Sequence, residues 1–172
     1  MKILKYAIPF AAAVLAITAC TPRDPRSDPA ASKSSAMVGA WRSHISFNSG
    51  AFASIKDLEF MYVFNQGGTL TESSNYDGAP PVPPAYGVWR AISATEFEAK
   101  YEFYVTAPAP AEAFKTGAGW LPSGRGIFTE RITLAADGKS FTSVIKYEAF
   151  DTQGQPVAGG GTATGSAVRI GF

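Results

Sequence analysis

Val38-Gly39-Ala40-Trp41-Arg42-Ser43-His44-Ile45-Ser46-Phe47 alternates along its length. Trp41, Ile45 and Phe47 fall on one face, and Arg42, His44 and Ser46 on the other, which is the signature of a half-buried strand. The same period of two returns downstream. Asp57 to Phe64 sets Leu58, Phe60, Tyr62 and Phe64 in phase, and Glu96 to Val105 sets Phe97, Ala99, Tyr101, Phe103 and Val105 against Glu96, Glu98, Lys100 and Glu102. One face of such a segment is core and the other meets water. No stretch has helical periodicity, so the chain reads as all-β.

The remaining strands follow from the same rule and from their punctuation. Thr69 to Tyr76, Tyr86 to Ile92, Gly126 to Leu134, Lys139 to Phe150 and Thr162 to Ile170 complete a set of about eight. Asn65-Gln66-Gly67-Gly68, Ser93-Ala94-Thr95 and Ala135-Ala136-Asp137-Gly138 are tight turns. Asn48 to Lys56, the proline-rich Asp77 to Pro84, Thr106 to Ser123 and the glycine-rich Asp151 to Gly161 are long loops, the third holding a short helical turn at Ala111 to Lys115. Short and long connections therefore take turns. In an antiparallel meander, alternate connections lie at the same end of the sheet. All short turns then gather at one end and all long loops at the other. Eight strands are also enough for a sheet to close on itself, which removes its free edges. The expectation is an eight-stranded antiparallel up-and-down barrel over residues 37–172, with a tight base and a looped mouth, and no C-terminal helix.

Upstream of the barrel, residues 1–19 read as an export signal. Lys2 and Lys5 give the positive end, Tyr6 to Ala16 the apolar stretch, and Ile17-Thr18-Ala19 a small-residue exit. The chain's only cysteine, Cys20, follows at once. Residues 20–36 carry prolines, serines and charges of both signs, so they bury nothing and serve as a tether. A net charge of +1 over 172 residues gives no reason to expect nucleic acid as a partner.

Chemistry-bearing motifs are scarce. The single histidine, His44, sits in phase with Arg42 and Ser46 on the outer face, and no Gly-x-Ser-x-Gly turn exists to build a nucleophile. One histidine and one cysteine cannot make a metal site, and no cofactor is expected. The candidate binding residues are polar ones in phase with apolar neighbours: Glu72, Arg90, Tyr101, Glu130 and Tyr147 as lumen residues. Buried charges must pair or bind something. Two readings follow: an internal ion pair of Arg90 with a carboxylate that fills the base, or a polar lumen that orients a ligand. Phe52, Tyr76, Tyr86, Phe114 and Trp120 are assigned to the mouth, where aromatics serve either ligand entry or packing of the loops themselves.

Two resemblances attach to these residues. Ile17-Thr18-Ala19-Cys20 resembles the lipobox of bacterial lipoproteins, which implies that Cys20 is acylated and anchors the chain in a membrane. Thr21, where an aspartate would retain such proteins at the inner membrane, implies the outer membrane and a periplasm-facing domain. Gly39-Ala40-Trp41 looks like the Gly-x-Trp signature of lipocalins, and Arg169 near the end of the last strand matches the arginine which that family packs on its tryptophan. Trp41 and Arg169 are then structural residues of the base. The turn before Lys139 lacks the family's Thr-Asp-Tyr pattern and no helical stretch follows Ile170, so the resemblance is to the broader group of lipocalin-like barrels. It implies a lipoprotein whose barrel binds a small hydrophobic or amphipathic molecule. The alternatives are an isomerase- or cyclase-type enzyme acting on a hydrophobic substrate, and a filled barrel that contacts another envelope protein.

Overall fold

The structure, a computed structural model, describes residues 36–76, 83–115, 117 and 119–172. The leader, Cys20 and the tether up to residue 35 lie outside the described residues, as does the middle of the proline-rich loop. The elements are β1 (Gly39–Phe47), β2 (Leu58–Phe64), β3 (Thr69–Ser74), β4 (Ala85–Ala91), β5 (Glu96–Pro108), a short helix α1 (Ala111–Phe114), β6 (Trp120–Leu134), β7 (Ser140–Phe150) and β8 (Pro156–Arg169). The eight strands are antiparallel and close into one barrel in chain order, with β8 returning to pair with β1 from Trp41 opposite Arg169 to Phe47 opposite Ala163.

Alternation drives each strand onto the barrel wall. In β1, residues 41, 43, 45 and 47 point inward and are buried, while Arg42, His44 and Ser46 are exposed. The base is packed solid. Trp41 has no exposed surface, its ring lies 5.0 Å from that of Phe141, and its indole N–H donates to the Met37 carbonyl at 3.0 Å. Arg169 lies over Trp41, guanidinium carbon 4.1 Å from the ring centroid, within range of a cation–π contact. Its N–H groups donate to the backbone carbonyls of Gly138, Val38 and Ala36. One side chain thus ties the end of β8 to the β6–β7 turn and to the segment entering β1.

Two connections differ from the expectation. The last loop is only Asp151 to Gln155, because β8 begins at Pro156 and takes in Gly159, Gly160 and Gly161. These glycines are strand residues crowded by backbone. A Cβ on Gly161 would stand 2.0 Å from the Ser49 carbonyl oxygen of the β1–β2 loop, so only glycine allows the loop to lie there. Asn48 N–H to Thr162 O (2.8 Å) and Ala51 N–H to Gly159 O (2.9 Å) hold that loop down onto β8.

The Thr106 to Ser123 stretch is likewise mostly strand. β5 runs on to Pro108 and β6 starts at Trp120, paired through a register shift between Val105 and Thr106. β4 leaves β5 after Tyr86 opposite Glu102, and β7 meets β6 only from Phe150 opposite Arg125. The far ends of β5 and β6 therefore pair with each other alone and form a two-stranded arm at the mouth. A two-stranded ribbon has free edges, which is where proline is tolerated in a sheet, so Pro108 and Pro122 do not break it.

Candidate functional site

Above the packed base, the interior changes character. Ser43 and Ser143 on β1 and β7 are buried and face Gly165 on β8, where an added Cβ would lie 2.5 Å from Ser143 Oγ and 3.2 Å from Ser43 Oγ. Small residues on these three strands leave the middle of the barrel to large ones from the opposite wall. Tyr62 on β2, Tyr101 on β5 and Glu130 on β6 fill it, all fully buried. The Tyr101 hydroxyl donates to Glu130 Oε2 at 2.9 Å, and since its proton is so used, the Tyr62 hydroxyl 3.2 Å away donates to it. Glu72 on β3 lies across from Tyr62 and is 5% exposed.

This layer holds two carboxyls and no cation. Glu72 Oε1, Glu130 Oε1 and Ser143 Oγ are buried without a hydrogen-bond partner of good geometry. Burial, and then the Glu130 carboxylate, push the Glu72 carboxyl up to about 8. Burial also raises Glu130, against the pull of the nearby Ser143, Tyr101 and Tyr62 hydroxyls. Burial and the carboxylates raise the Tyr62 and Tyr101 phenols well above their ordinary value. The Glu72 carboxyl and the two phenols therefore hold their protons at neutral pH. A buried group that would ionise if offered a counter-charge marks a functional candidate.

Glu72 is also the floor of a cavity. A space of about 340 Å³ opens at the mouth between the β1–β2 loop, β2, β3 and the β5–β6 arm. Its walls include Phe52, Phe60, Tyr76, Phe103, Phe128 and Tyr147. Phe52 and Tyr147 have centroids 4.9 Å apart, Phe128 and Tyr147 5.0 Å, and Phe52 meets Tyr76 edge-on at 5.8 Å. Phe103 stacks on Phe128 at 5.4 Å. The Phe103 and Tyr147 rings reach this position because Gly126 lies between them. A Cβ there would approach the two rings to 2.3 and 2.7 Å. A larger depression of about 570 Å³ lies against the outer wall beside Arg42, His44 and Val168 and does not enter the barrel.

Of the expected lumen residues, Glu72, Tyr101, Glu130 and Tyr147 point inward, and Arg90 does not. Arg90 is on the outer wall, where its Nε donates to Glu98 Oε2 at 3.0 Å. The cause is β4 itself: two of its three inward residues, Ala85, Gly87 and Trp89, are small, so the apolar Val88 and Ile92 on the outer phase outweigh them in the sequence pattern. The internal ion pair is thereby excluded for Arg90.

Of the mouth aromatics, Phe52 and Tyr76 line the cavity. Tyr86 does not: it is 64% exposed on the outer wall. Trp120 pairs with Pro108 at the tip of the arm, away from the cavity, and the Phe114 side chain lies outside the described residues. Phe60, Phe103 and Phe128 line the cavity without standing among the expected site residues. Their place in strand was the available signal, since each lies on the mouth side of the Tyr62–Tyr101–Glu130 layer. Among the described residues no three His, Cys, Asp or Glu side chains gather as metal ligands. No protein-family model matches the chain, and no curated protein matches it.

Proposed function

We propose that this chain is a bacterial lipoprotein, anchored through acylated Cys20 and exposed to the periplasm from the outer membrane, whose lipocalin-like barrel binds a small hydrophobic or amphipathic molecule at its mouth. The observation that carries the binding reading is the cavity of about 340 Å³ with aromatic walls and a single unpartnered carboxyl, Glu72, at its floor. Ligand sites are typically concave, mostly apolar and supplied with a few polar groups that fix orientation, from roughly 300 Å³ upward. The anchor rests on Ile17-Thr18-Ala19-Cys20 and on two or more acyl chains holding a protein where one does not.

The filled base is what an interaction protein would have throughout; the open mouth favours a ligand. An enzyme would use the same Glu72 as an acid or base, and turnover of the bound molecule separates the two. The test is the full chain expressed with its leader in a bacterial host. Membrane-purified protein carries a diacylglycerol mass on the residue 20 peptide and releases a small molecule unchanged on denaturation, and Cys20→Ser moves the protein to the soluble fraction. A protein with an unmodified cysteine overturns the anchor; one that neither retains nor takes up any apolar small molecule overturns the binding reading.

A further inference from the structure

Resting on the mouth cavity as a binding site, we infer that its ligand is an organic cation: a compact aromatic or alicyclic body bearing an ammonium group that seats beside Glu72. Glu72 Oε1 is buried without a partner, and the residue lines the cavity while only 5% exposed, so a partner from outside the chain can reach this carboxyl only by way of that space. Among the described residues the titratable groups around it are acids or phenols: Tyr62 from β2, Tyr101 from β5 and Glu130 from β6 beside the carboxyl, and Tyr76, Tyr104 and Tyr147 on the cavity wall, with Ala85 next to it on β4. Among the described residues, every charge this lumen can develop is negative.

An ammonium supplies what the chain omits. It donates hydrogen bonds to the orphaned oxygen and offsets the field of two carboxyls. It also meets ring faces, whose quadrupoles attract cations within about 6 Å of the centroid. Phe60, Phe128 and Tyr147 line the same cavity as Glu72, and the remaining aromatic walls take the apolar body. A carboxylate ligand would instead be repelled. The arginine pair that would neutralise the interior is not there: Arg90 and Arg131 both serve Glu98 on the outer wall.

The experiment uses three probes of one shape, 1-naphthylmethylamine, 1-naphthylmethanol and 1-naphthoate, titrated into the purified protein by calorimetry. The amine is expected to bind at least tenfold tighter than the alcohol near pH 8, with the naphthoate weakest. Its affinity rises from about pH 6 to about pH 8.5, the amine remaining charged while Glu72 ionises. Glu72→Gln erases both the preference and the rise. Should that variant fail to fold, the wild-type pH profile and the rank order of probes decide alone. Alcohol binding as tightly as amine, or amine affinity flat with pH, overturns the cation while leaving the cavity as a site. Binding by none of the three overturns the cavity reading itself.

Discussion

At the scale of single residues, Glu72 is a buried carboxyl whose ionisation works against the fold. Its carboxyl titrates near 4.5 when solvated and near 8 in the folded barrel, so the native state holds its proton more tightly than the unfolded chain does. Stability from this group is then fully present below about 4.5 and is lost as pH rises toward 8. The fall is at most about 1.4 kcal/mol per pH unit for one such proton. Glu72→Gln, which cannot ionise, is expected to flatten that slope, so the variant gains on wild type as pH rises. Urea melts at a series of pH values between these limits check it. Parallel profiles for both proteins would mean that Glu72 is solvated in the native state. The outer pair Arg90–Glu98 gives the contrast: Glu98 is held low chiefly by its hydrogen bond from Arg90, and, being exposed, the pair adds little.

At the scale of elements, period-two alternation made most strands legible, and it failed where inward positions were small. β4 presents the small Ala85 and Gly87 to the lumen beside Trp89, so the apolar Val88 and Ile92 on the outer phase outweigh them in the sequence pattern and Arg90 was assigned to the wrong face. Glycines also misled at β8 and prolines at the β5–β6 arm: both read locally as loop, yet each is licensed by a neighbour that only tertiary structure supplies. Ser49 lies over Gly161, and the arm's edges carry Pro108 and Pro122. Gly126 is the element-scale feature that shapes the site, because it admits the Phe103 and Tyr147 rings between strands. Gly126→Val is expected to lose about 1–3 kcal/mol of stability through overpacking. It should also weaken naphthylmethylamine binding by tenfold or more as the rings are driven into the cavity. Denaturant melts and a probe titration read both; a variant unchanged in either measure would mean that those rings do not form the wall.

At the scale of the whole molecule, the fold was legible because the connections report it. Tight turns after β2, β4 and β6 could only meet at one end, and the loops could only surround the other. The site was less so, since position along a strand, rather than residue type, decides whether a phenylalanine is core or wall. Phe97 and Phe128 share a phase rule yet lie in different storeys, one within the base and one beside the cavity. The barrel joins a closed, dry base fixed by Trp41 and Arg169 to a mouth left unfilled above a layer of acids and phenols.

Chemical-shift mapping distinguishes the packed base from the open mouth. Isotope-labelled protein is titrated with 1-naphthylmethylamine while its amide and methyl resonances are followed. Perturbations are expected only in the β1–β2 loop, the mouth ends of β2 and β3 and the β5–β6 arm, with Ala51, Phe60, Glu72 and Thr106 among the largest and Trp41 and Phe141 unmoved. Shifts centred on the outer wall around Arg42, His44 and Val168, or no saturable shifts at all, would contradict it.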